Sequence, residues 1–98
     1  MVLVKNEWDG AIECLYDSSN VLASKYVVKD NKLAIIFSSG RQYVYEDVKK
    51  EDYVKFESSE SQGKTLNTII KKYKSEMSKD IVNVTPLKEQ INKLKNNV

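Results

Sequence analysis

The 98-residue sequence predicts an α+β domain: an antiparallel β-meander of about five strands, followed by two to three helices packed on one face of the sheet. Three observations predict it. In the first half, short segments of alternating apolar and polar residues are separated by turn formers such as Asp9-Gly10, Asp30-Asn31 and Ser39-Gly40. In the second half the apolar spacing turns helical, with Leu66, Ile69, Ile70 and Tyr73 at i, i+3, i+4 and i+7. Hydrophobic residues make up 41% of the chain, enough for one modest core, so residues 1–98 read as a single domain.

Val2 to Trp8 reads as a strand, and Asp9-Gly10 as the two-residue turn of a hairpin whose second strand spans 11–16. Asp17-Ser18-Ser19-Asn20 is a polar turn before a strand at 21–28. Asp30 and Asn31 tolerate left-handed backbone angles and turn the chain into a strand at 32–38. There Leu33, Ile35 and Phe37 share one face, with Ala34 and Ile36 on the other, as in a strand covered on both sides. After Gly40 a strand at 41–46 places Tyr43 and Tyr45 side by side. Asp47 then caps a helix at 50–57 that uses Val48, Tyr53 and Phe56. Residues 58–63 form a loop, and a helix at 64–76 carries the Leu66–Tyr73 stripe. Gly63 supplies a tight or left-handed bend that lets Asn67 bond the loop. Thr85 and Pro86 open a last helix at 86–96, whose stripe is Leu87, Ile91 and Leu94. That helix needs a surface to dock on, in its own chain or on a partner.

Composition removes most catalytic classes. The chain has no histidine and one cysteine, Cys14, so Ser-His and Cys-His nucleophile pairs and Cys/His zinc sites are excluded. Its three glycines, Gly10, Gly40 and Gly63, are too scattered for a phosphate-binding loop. No spacing of carboxylates or lysines suggests catalysis, and none suggests a metal or cofactor, so a non-enzyme is expected. No apolar run reaches bilayer length. Met1-Val2-Leu3-Val4 is too short for a signal-peptide core, which implies a cytoplasmic protein with no membrane partner. Cys14 is expected to be a small buried hydrophobe.

Charge is uneven. Residues 1–61 hold 8 basic and 11 acidic side chains, whereas residues 62–98 hold 8 basic and 3 acidic ones. The basic excess includes Lys64, Lys71, Lys72 and Lys74 on or beside the predicted helix. These lysines suit phosphate contacts, or equally an ordinary solvated helix face. Tyr43 and Tyr45, next to Arg41, either stack bases or pack beneath the Leu66–Tyr73 stripe, and packing is the favoured reading. Trp8 is either core or an exposed anchor, with core favoured.

The order of these residues resembles the KTSC domain, a small module named for its place at the C-terminus of some lysyl-tRNA synthetases. The resemblance runs from Ser18 to Tyr73. It is carried by Ser18-Ser19-Asn20-Val21, Tyr26, the alternating Leu33, Ile35 and Phe37, Gly40 with Tyr43-Val44-Tyr45, then Val48 and Tyr53, and finally Ser61, Gly63-Lys64, Asn67, Ile70 and Tyr73. Val27 and Lys49 depart from it, standing where the family often has an acidic residue and a proline. A hairpin extension at 1–17 and a helical extension at 74–98 fall outside it. The family has no established activity. The resemblance implies a non-catalytic binding module, and its link to a tRNA synthetase points to nucleic acid, RNA or DNA. In that reading Lys64, Lys71, Lys72, Lys74 and Arg41 hold phosphates while Tyr43 and Tyr45 stack. The rival is a protein-interaction factor of a phage or mobile element that grips a host protein through Trp8, Leu87, Ile91 and Leu94.

Overall fold

The computed structural model describes residues 1–96. Its six strands lie in one sheet in chain order, every neighbouring pair antiparallel: β1 (Val2–Trp8), β2 (Ala11–Tyr16), β3 (Val21–Val27), β4 (Lys32–Phe37), β5 (Gln42–Tyr45) and β6 (Ser75–Met77). The helices are α1 (Lys50–Glu57), the short α2 (Gln62–Thr65), which runs on into a π turn at Leu66–Ile70, and α3 (Thr85–Asn96). The α+β class and the meander are as the sequence predicts, with one strand more than expected.

The predicted turns account for the meander. Asp9 and Gly10 both have positive φ, 46° and 78°, which matches the twist of the strands they join. Asn31 (φ 52°) and Gly40 (φ 90°) take the same region at the next two turns. Asp47 does so too (φ 55°), and Lys49 precedes α1 with no side-chain cap. Asp47 is therefore a left-handed turn residue rather than the expected helix cap.

One face of the sheet holds the core. Ile12, Cys14, Tyr16, Val21, Tyr26, Leu33, Ile35 and Tyr45 pack there against Val48, Tyr53, Phe56, Leu66 and Ile70. Tyr26 stacks on Tyr53 with ring centroids 4.4 Å apart, and its hydroxyl donates to the Val48 carbonyl at 2.7 Å. Tyr16 meets Ser24 at 2.7 Å, so both buried hydroxyls are satisfied. Cys14 is buried with its sulfur 3.7 Å from the Tyr53 hydroxyl, and burial pushes its thiol pKa up.

Three features differ from expectation. The helix predicted at 64–76 ends near residue 70, and Ser75–Met77 forms β6 against β5. A helix continued to 76 would have left the outer edge of β5 unpaired, and strand pairing satisfies those groups instead. Gly63 sits inside α2 without a positive φ, and Ser61 rather than a glycine bend caps that helix through its hydroxyl to the Lys64 N–H. Finally, α1 and α2 cover the core face, but α3 lies over the other. Leu87 there shares a cavity of about 370 Å³ with Val4, Leu15, Ala23 and Ile36, all on the face opposite Cys14 and Ile35. Ile91 of α3 is buried and Lys95 reaches Asp17 at 3.2 Å, so the tail docks on its own chain. The third helix is thus a departure from the expected one-sided packing: apolar residues on both faces of β4 each receive their own cover.

Candidate nucleic-acid interface

β5 and the π turn face each other across a cleft of about 350 Å³. Its floor is Phe37, Tyr43, Tyr45 and Leu66, and its rim is Arg41, Asn67 and Lys71. Strand alternation puts Tyr43 and Tyr45 on the core face, and the ladder sets Tyr43 opposite Ile35 and Tyr45 opposite Leu33. The π turn sets the other wall. The Lys71 N–H donates to the Leu66 carbonyl at 2.8 Å, five residues back. That winding keeps Leu66 and Ile70 in the core while Asn67 and Lys71 stay exposed at the rim.

The aromatic residues are not equivalent. Tyr45 is only 4% exposed, and burial, followed by the neighbouring Tyr43, raises its phenol pKa, so it stays a neutral core residue. Tyr43 is half-buried, with Phe37 edge-on to it at 5.6 Å and 88° and the Tyr45 ring 6.4 Å away. Arg41 is exposed and directs Nη1 towards the Met77 sulfur at 3.2 Å. Among the described residues no carboxylate lines the cleft.

Four of the seven residues singled out for nucleic acid therefore meet here: Arg41, Tyr43, Tyr45 and Lys71. The other three do not line the cleft. Lys64 is exposed on α2. Lys72 is bound to Asp52 at 3.1 Å, and that hydrogen bond pushes its ammonium pKa up. Lys74 lies between the π turn and β6, where its carbonyl accepts the Glu46 N–H at 2.8 Å. The single helix stripe expected for these lysines is broken where the chain leaves the helix.

Of the anchors considered for a protein partner, Ile91 is buried and Leu87 and Leu94 are half-buried on α3. Trp8 is 46% exposed at the end of β1, so it is not the core residue it was expected to be. Three residues escaped the sequence analysis. Phe37 read as plain core, and only its neighbour Tyr43 marks it as part of the cleft. Gln62 is fully buried and donates to the carbonyls of Phe56 and Ser59, at 3.3 and 2.8 Å, closing the 58–61 loop. Asp52 is buried in the first turn of α1 and accepts from the Tyr73 hydroxyl. A polar residue among charged neighbours gives no periodic signal of such burial.

The described residues contain no group of three or more Cys, Asp or Glu placed to hold a metal, and no helix among them is long and apolar enough to cross a membrane. A family model described as KTSC domain matches residues 17–73. The crystal structure of a KTSC domain protein from Yersinia pestis superimposes with a TM-score of 0.66 at 25% identity, covering 69% of this chain and 97% of that one. No curated protein matches the chain. The matched span holds β3, β4, β5, α1, α2 and the π turn, and so all of the cleft except the flank at Ser75, while β1, β2, β6 and α3 lie outside it.

Proposed function

The chain belongs to the KTSC domain family, and from that premise we propose that it is a small non-catalytic module binding single-stranded nucleic acid along the cleft between β5 and the π turn. One observation carries the reading: two cations, Arg41 and Lys71, flank the half-exposed Tyr43 in a cleft that no carboxylate lines among the described residues. Single strands are bound by this combination of a cationic rim for phosphates and an aromatic platform for bases. Phe37 and Tyr43 form the platform, Tyr45 supports it from below, and Asn67 offers hydrogen bonds to a base edge or sugar. A chain with one arginine has little means of reading guanine, so recognition is by backbone and stacking with little sequence preference.

The competing reading, a phage or mobile-element factor that binds a host protein through Trp8, Leu87, Ile91 and Leu94, is less well supported. Ile91 is buried on the chain's own sheet, and Leu87 and Leu94 are half-buried with it.

Fluorescence anisotropy with labelled twelve-residue oligo-U and oligo-dT tests the proposal. For two to three phosphate contacts, affinity should fall about tenfold between roughly 50 and 200 mM salt. Arg41→Glu with Lys71→Glu should remove binding, whereas Lys88→Glu on the opposite face should leave it intact. An unchanged anisotropy at low salt, at protein concentrations of hundreds of micromolar, refutes the reading.

A further inference from the structure

The outer edge of β1 lies at the far side of the sheet from the cleft, and its sequence is complementary to itself. Leu3 is a bulge residue, since Val2 pairs with Tyr16 and Val4 already with Leu15. The Asp9-Gly10 turn ends the strand. Between them lie five regular residues, Val4 to Trp8, centred on Asn6.

The hydrogen-bonding parity of this stretch is fixed. A two-residue turn makes Trp8 and Ala11 a hydrogen-bonded pair, so Asn6–Glu13 and Val4–Leu15 are bonded as well. The Gly10 carbonyl accepts the Val28 N–H, which confirms that the even-numbered positions at this end of β2 face β3. Lys5 and Glu7 therefore direct their N–H and C=O groups outward, and nothing among the described residues bonds to them from outside the β1–β2 ladder. Their side chains share the core face of the sheet. Those of Val4, Asn6 and Trp8 share the other.

We infer that β1 pairs with β1 of a second copy of this chain, antiparallel, about a two-fold axis through Asn6. In this register Lys5 faces Glu7 of the partner and Glu7 faces its Lys5, each pair exchanging both outward backbone hydrogen bonds. Val4 faces Trp8 and Trp8 faces Val4 as non-hydrogen-bonded pairs, the closer kind, where an aromatic and a β-branched side chain stabilise a ladder. Asn6 meets Asn6 at the axis. Moving the axis to Lys5 sets lysine against lysine, and moving it to Val4 leaves Lys5 opposite the bulge residue Leu3. Charge thus selects one register. Among the described residues Glu7 is held only by Lys5 at 3.3 Å, and Lys5 also pairs with Glu57 at 2.9 Å, so Glu7 can exchange partners. The interaction is isologous, closes at two copies, and covers the exposed Trp8. It is independent of the nucleic-acid reading, because the cleft flanks the opposite edge of the sheet.

Sedimentation velocity between about 10 and 500 µM, with Asn6→Cys cross-linking, tests it. The expected result is a concentration-dependent dimer of twice the 11.3 kDa protomer. Oxidised Asn6→Cys should form a covalent dimer, because cysteines in a non-hydrogen-bonded pair fall within disulfide reach. An exposed Ser58→Cys control should not. Lys5→Glu should give monomers, and Lys5→Glu with Glu7→Lys should restore the dimer; circular dichroism confirms that each variant is folded. A monomer throughout the range overturns the inference. So does a dimer that ignores Lys5→Glu and fails to cross-link through Asn6→Cys.

Discussion

Gly40 and Gly63 illustrate how one residue type answers to different constraints. Gly40 turns between β4 and β5 with φ at 90°, and a Cβ there would lie 2.6 Å from the Val82 carbonyl oxygen and 2.7 Å from a methyl of Ile81. The neighbour that clashes is backbone, pinned by the Val82 N–H donating to the Gly40 carbonyl at 2.8 Å. Gly40→Ala should cost about 2–3 kcal/mol, from backbone strain and from lifting the segment that carries the chain to α3. Gly63 is helical with open space around it, so Gly63→Ala should stabilise by about 0.5–1 kcal/mol. Thermal melts check both: a fall in Tm of roughly 10–20 °C for the first and a rise of a few degrees for the second. A loss of stability in Gly63→Ala would show that the glycine serves a conformation other than the helical one.

At the scale of elements, the clasp between α1 and the segment after the π turn makes stability depend on acid. Asp52, in the first turn of α1, accepts from the Tyr73 hydroxyl and pairs with Lys72 at 3.1 Å. The Tyr73 hydrogen bond, opposed by burial and aided by Lys72, holds the Asp52 carboxyl below the usual carboxylate range. A depressed folded-state pKa stabilises the fold above the unfolded value of about 3.9 and loses that contribution as pH falls through the folded value. Urea midpoints should therefore separate wild type from Asp52→Asn at pH 7, and the gap should narrow near pH 3. A gap that is constant with pH would mean that the carboxylate charge plays no part. The same region shows where the sequence is legible. β1 to β5 and α1 announce themselves through turns at Asp9-Gly10, Asn31 and Gly40 and through alternation between them. β6 does not, because Ser75-Glu76-Met77 is too short to alternate and exists only to pair with β5. The stripe of Leu66, Ile69, Ile70 and Tyr73 reads as one α-helix, yet Tyr73 leaves it to reach Asp52. Tyr43 and Arg41 were recognisable as candidates, but their meeting with Lys71 is a product of tertiary packing. The stripe of Leu87, Ile91 and Leu94 says that α3 must dock, and not on which face.

For the whole molecule, the sheet separates two layers of unequal strength. Among the described residues the core face buries thirteen side chains between sheet, α1 and the π turn, while on the other face α3 contributes Ile91 as its one buried residue. Unequal burial implies unequal local stability, so α3 should release without opening the core. Cys14 reports on this. It is 2% exposed, on the interior strand β2 and on the core side, and burial raises its thiol pKa, so a thiol reagent reaches it only when that layer opens. Phe56→Ala, which removes a fully buried ring at a cost of about 3–5 kcal/mol, should speed Cys14 labelling by at least about a hundredfold. Ile91→Ala should leave Cys14 labelling within about threefold of wild type while amide exchange across 85–96 accelerates more than tenfold. If Ile91→Ala instead accelerates Cys14 as strongly as it accelerates the helix, the two layers open together. The fold is then one cooperative unit, in which α3 holds the core shut from the far side of the sheet.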